Sequence, residues 1–133
     1  MFATFRPIGN IIHVKLAERP QSENDFNKFM ADWLACYHRN HTSSFIFIID
    51  ARQLSWYVWD FRYLIQMQSF LKDLQRSHLA FPETYDKLKR CYVASASNYT
   101  YWIIQLLCTY QSPISPVYMV EHPQRAQDLE ALR

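Results

Sequence analysis

Cys36, His38 and His41 bring a thiol and two imidazoles into one short stretch, and these are the side chains that bind zinc. A structural zinc site needs a fourth ligand, and the chain has neither a Cys-x-x-Cys pair nor a His-Glu-x-x-His stretch to supply it. The two histidines therefore read as cationic side chains favoured at the carboxyl end of a helix. Asp50 and Asp60 are a second candidate pair, since two carboxylates can divide general acid and general base work. No nucleophile or histidine shares their turn, so Asp50 reads as closing a strand through backbone amides and Asp60 as a cap or ion-pair partner. Ser95-Ala96-Ser97-Asn98 follows a strand pattern and opens a helix pattern, where free amides can hold an anion; the same residues are also ordinary helix caps. The chain has a single glycine, Gly9, so phosphate loops, dinucleotide fingerprints and nucleophile elbows, each of which needs several, are excluded. No catalytic, metal or cofactor assignment follows.

The aromatic residues are harder to place. Trp56-Tyr57-Val58-Trp59 runs into Phe61 and Tyr63, and a helix and its entrance hide only one stripe, so these six cannot all face inward. Tyr99, Tyr101 and Trp102 open the following helix in the equivalent place. Exposed Trp and Tyr concentrate binding energy at protein interfaces. One reading makes Trp56, Tyr57, Trp59, Tyr63, Tyr99 and Trp102 a partner-binding ridge, with Arg52 and Arg62 as polar anchors at its rim. The other makes the aromatics a second small core under the loop, or the lining of a pocket for a small apolar ligand.

The elements that position these residues are legible from periodicity. Phe45-Ile46-Phe47-Ile48-Ile49-Asp50 is an unbroken apolar run ending in a carboxylate, the pattern of a parallel strand covered on both faces. Asp50 then sits at the strand's carboxyl end, where sites in such sheets lie. Pro7-Ile8-Gly9-Asn10 separates two short arms, Phe2 to Arg6 and Asn10 to Leu16, and predicts a hairpin turning at Gly9. Phe26, Phe29, Met30, Trp33, Leu34 and Tyr37 recur at helical spacing and predict a helix from about Glu23 to about Arg39, entered through Ser22 and Asp25 as an approximate capping box. A second helix carries Phe61, Leu64, Ile65, Leu71 and Leu74 on its inner stripe, widened by Met67 and Phe70. It is expected to end near Ser77 or His78, ahead of Phe81-Pro82. Cys91 to Ser95 predicts a strand. A third helix is expected from a cap at Asn98 through Tyr110, with Ile103, Leu106, Leu107 and Tyr110 inward. Val117 to Val120 predicts the last strand, and Pro123 opens a short helix carrying Ala126, Leu129 and Leu132.

At 133 residues the chain reads as one domain, 1–133, able to bury about two thirds of the surface its unfolded form exposes. Half of its residues are apolar and 17% aromatic, which excludes a disordered chain. Fourteen Lys and Arg stand against twelve Asp and Glu, scattered singly except at Lys87-Leu88-Lys89-Arg90. That distribution lacks the basic stripe of a nucleic-acid binder, and the short patch reads as a solvated approach to a strand. Three cysteines at unrelated spacings, Cys36, Cys91 and Cys108, read as small buried hydrophobes of a reducing compartment. No window approaches a membrane span of about 18 apolar residues, and the amino terminus has no signal-like segment. A soluble, cytoplasmic protein is expected.

The order of elements, with the hairpin at Gly9, the strand ending in Asp50, the strand at Cys91 to Ser95 and Val117-Tyr118-Met119-Val120 running into Gln124 to Leu129, resembles the STAS domain of sulphate transporters and anti-sigma-factor antagonists. It is also similar to the lipid-binding CRAL-TRIO domain. The resemblance covers nearly the whole chain. It implies an α/β fold with a mixed, mostly parallel sheet of about five strands, about four helices and an opening β-hairpin. It further implies a non-enzymatic protein-binding, assembly or regulatory module, or a carrier of a small apolar ligand or lipid. Regulatory STAS domains place an Asp-Ser-Ser-Gly-like turn, with its phosphoacceptor serine, at the start of the second helix. Here Ser55-Trp56-Tyr57-Val58-Trp59-Asp60 stands there, without the serine pair or the glycine, so no phosphoserine switch is expected at that turn. CRAL-TRIO domains are longer, with extra helices that wall their pocket.

Overall fold

The computed structural model describes residues 1–39, 43–55, 61–110 and 112–133. Its elements are β1 (Ala3–Ile8), β2 (Ile11–Leu16), α1 (Glu23–Arg39), β3 (Phe45–Asp50), α2 (Phe61–Ala80), α3 (Pro82–Tyr85), β4 (Leu88–Ala94), α4 (Asn98–Tyr110), β5 (Val117–Val120) and α5 (Pro123–Ala131). The strands form one sheet in the order β1-β2-β3-β4-β5. β1 and β2 pair antiparallel, and every later neighbour is parallel.

Ile8 pairs with Ile11, which leaves Gly9 and Asn10 as a two-residue turn, and Gly9 has φ +63°. Glycine at the first central position is what a type II′ hairpin asks for. Because each parallel step moves to the adjacent strand in one direction, right-handed crossovers put α1, α2 and α4 on the same face. The side chains agree with this. Phe45, Phe47 and Ile49 of β3 join the core with Phe26, Phe29 and Trp33 of α1 and Phe70 and Leu74 of α2, whereas Ile46 and Ile48 meet Ala126 and Leu129 of α5 on the opposite face. β3 is thus covered on both sides, as its unbroken apolar run requires.

Local chemistry fixes the ends of the elements. Ser22 Oγ accepts from Asp25 N at 3.2 Å, and Asp25 turns back to accept from Gln21 N at 3.1 Å and Phe2 N at 2.9 Å, tying the start of α1 to the amino-terminal strand. On the far face, Arg90 of β4 and Tyr92 beside it both reach Glu130 of α5, with Arg90 Nη2 at 2.8 Å from Glu130 Oε1. Arg133 lies 3.2 Å from the same carboxylate.

Several boundaries differ from the sequence expectation. α2 continues to Ala80, because Pro82 restricts only the residue before it: Phe81 takes φ −135° and ψ 65° and Pro82 starts a separate turn, α3. β4 begins at Leu88, which is buried and pairs with Phe45, so only Lys87 of the basic patch leads into the strand; Lys89 is exposed on it, and Arg90 is held by Glu130. The buried stripe of α2 runs through Tyr63, Phe70, Leu71 and Leu74, with Leu64 and Met67 partly buried, while Ile65 is 52% exposed. The side chains of Phe61 and Tyr110 lie outside the described part.

Candidate functional site

Adjacent parallel strands place their following loops at one end of the sheet. β3, β4 and β5 therefore bring Asp50 to Ser55, Ser95 to Ser97 and Glu121 to His122 together, and backbone bonds join them: Ala51 N donates to Ala94 O at 2.8 Å and Ser95 N to Val120 O at 3.0 Å. Asp50 ends β3 beside Lys15 of β2. Its carboxylate accepts from the backbone N of Arg52 at 3.2 Å and from the guanidinium at 2.9 and 2.8 Å, a bidentate pair. The Arg52 hydrogen bonds hold the Asp50 carboxyl below the usual carboxylate range against the opposing effect of partial burial. Asp50 is thus an ionised strand terminator with its acceptors engaged. Asp60, its proposed acid-base partner, lies outside the described residues.

The serines after β4 act as a cap. Ser97 Oγ accepts from Tyr99 N at 3.1 Å and Thr100 N at 3.4 Å, and Ser95 Oγ accepts from Ser97 N at 3.2 Å. The cap is therefore Ser97, one residue before the Asn98 expected from sequence. These contacts occupy amides that an anion would otherwise use. Of the candidate zinc ligands, Cys36 is buried with its thiol donating to Asp32 O at 3.2 Å, and burial raises its pKa to about 11. His38 is exposed beside the Tyr85 ring, and His41 lies outside the described residues. Among the described residues no cluster of His, Cys, Asp and Glu could hold a metal ion, and no described helix is long and apolar enough to cross a membrane.

The partner-binding residues expected from sequence separate. Trp56, Tyr57 and Trp59 lie outside the described residues. Tyr63 belongs to the core, its ring centroid 5.1 Å from that of Phe26. Crowding with Trp56 to Phe61 assigns it to the ridge in a sequence reading, yet its position on α2 matches the buried stripe of Phe70 and Leu74. Arg62 is exposed beside it, with its guanidinium 5.3 Å above the Tyr63 ring and 3.9 Å from Glu23. Arg52 is committed to Asp50. Tyr99 and Trp102 are exposed on α4, at 53% and 75%.

α4 has two apolar faces. Thr100 is buried, and Ile103, Ile104 and Leu107 pack partly against the core. Tyr99, Trp102 and Leu106 lie on the other side at i, i+3 and i+7 spacing, one continuous exposed stripe flanked by Tyr101. Leu106, expected inward, is 53% exposed. Apolar residues occupy most of the helix circumference, leaving exposed Asn98, Gln105 and Thr109 as the polar positions, so periodicity alone does not assign Leu106 to the inside or the outside. What does single out the helix is that Asn98 to Tyr110 contains no Asp, Glu, Lys or Arg, although it lies at the surface.

A crystal structure of an uncharacterized protein from the DUF3478 family with a SpoIIAA-like fold, from Shewanella loihica PV-4, is similar to the whole chain. The match covers 96% of this chain and 90% of that one, with a TM-score of 0.55 and 11% sequence identity. The fold is therefore of the SpoIIAA-like, or STAS-like, type. No protein-family model matches the chain, and no curated protein matches its sequence.

Proposed function

We propose that this STAS-like domain is a non-enzymatic assembly module that binds a second copy of itself through the outer face of α4. The observation that carries the reading is the exposed stripe of Tyr99, Trp102 and Leu106 on a surface helix without one charged residue. Surface helices of monomers carry charge on the face they turn to water, and exposed tryptophan and tyrosine are the residues in which interface energy concentrates. An uncharged stripe also pairs with its own copy about a two-fold axis without juxtaposing like charges. A partner chosen by charge would find nothing on this face to read. The non-enzymatic part of the reading is supported by the strand ends, where Asp50 is held by Arg52 and the serines cap α4.

Sedimentation of the wild type and Trp102→Ala over a wide concentration range tests this. The wild type is expected to associate with rising concentration and the variant to stay monomeric, with both equally folded by circular dichroism. A wild type that remains monomeric throughout, or a variant that associates as strongly, would overturn the reading.

A further inference from the structure

Behind α4, on the side away from its exposed stripe, lies a cavity of about 110 Å³ between the helices and the sheet. Cys91 and Val93 of β4 form part of its floor, Trp33 of α1 and Leu71 of α2 its walls, and Leu107 and Cys108 of α4 its cover. The lining residues that are only half buried are Met67 of α2, Ile104, Leu107 and Cys108 of α4, Pro113 and Ile114 of the link before β5, and Val117 of β5, so the less buried side of the cavity is the one bounded by α4 and the link into β5.

The described lining has no charged side chain, and its polar groups are engaged with each other or the backbone. Ser115 Oγ donates to Leu88 O at 2.7 Å, and Trp33 Nε1 donates to the Tyr37 hydroxyl at 3.2 Å. The Cys91 and Cys108 thiols are held protonated by burial, Cys91 further by Cys108 nearby, which makes them soft apolar surface and not nucleophiles. A buried water needs several polar partners, and apolar cavities of about 150 Å³ stay dry and take up benzene or xenon.

We infer that this cavity is a binding site for a small, neutral, apolar molecule about the size of one aromatic ring. Size excludes a long acyl chain. The lining excludes an ion, because no described side chain would replace the water it gives up. The site is distinct from the outer face of α4, so it stands whether or not the chain self-associates.

Titration of the methyl-labelled wild type with benzene, followed by NMR, tests the inference. Saturable shifts are expected at Leu71, Val93 and Leu107, accompanied by a benzene-dependent rise in melting temperature. Benzoate, the same ring carrying a carboxylate, is expected to bind at least tenfold more weakly. Cys108→Phe, which places a ring in the cavity, should lower benzene affinity at least tenfold. Absence of saturable shifts in the folded wild type up to the solubility of benzene would overturn the proposal, as would equal binding of benzoate. These two arms decide the question if the variant does not fold.

Discussion

Trp102 and Tyr63 are large aromatic residues near the entrances of neighbouring helices, yet truncating them acts on different quantities. Trp102 is mostly exposed, so Trp102→Ala opens no cavity and is expected to change folding stability by less than about 0.5 kcal/mol while costing association about 2 kcal/mol or more. Tyr63 packs on Phe26 in the core, so Tyr63→Ala is expected to destabilise the fold by on the order of 3 kcal/mol. Chemical denaturation of the two variants separates them. The sequence shows Tyr63 in a group of six too large for one stripe and Trp102 in the equivalent group on the next helix, but not which of the two faces inward. That depends on a helical phase offset of one position, and a tyrosine satisfies either environment.

At the scale of elements, two joints are exposed to test. Gly9 turns the opening hairpin at positive φ, and a Cβ there would meet nothing within 4 Å, so Gly9→Ala is expected to cost about 1–2 kcal/mol from backbone strain alone, read by denaturation. α5 is docked by Glu130, whose carboxyl lies below its usual pKa chiefly because of the Arg90 hydrogen bond, with Tyr92 adding to it. A carboxylate with a lowered folded-state pKa stabilises fully above its unfolded value, about 4.3, and that contribution is lost as the pH falls through the folded pKa. Melting curves of wild type and Glu130→Gln should therefore differ at neutral pH and converge on acidification below pH 4. A difference that persists or grows in acid would contradict this origin. Neither joint is equally visible in the sequence. Gly9 is unique in the chain and marks its turn, whereas the Arg90–Glu130 pair joins residues far apart whose meeting depends on α5 folding onto the opposite face. α3 was hidden for a local reason, since Pro82 both ends one helix and starts the next.

For the molecule as a whole, the monotonic strand order places α1, α2 and α4 on one face and α5 on the other, and both proposed sites belong to α4. Its inner face covers a cavity of about 110 Å³, and empty space of that size costs on the order of 2–3 kcal/mol, so a folded variant that fills it, such as Cys108→Leu, is expected to gain about 1 kcal/mol by denaturation. The parallel core was legible in the run from Phe45 to Ile49, because a short, β-branched and aromatic apolar run bounded by polar breaks is what a strand covered on both faces shows. The cavity was not, since it arises from how far α4 stands off the sheet. The outer face of the same helix is the proposed contact surface. Hydroxyl-radical footprinting of the wild type at low and high protein concentration, read at Trp102 with exposed Phe81 as internal control, tests it most directly. Trp102 is expected to be oxidised readily in dilute solution and to become protected as concentration rises while Phe81 does not change; oxidation of Trp102 that is independent of concentration would contradict the assignment of this face as the contact surface.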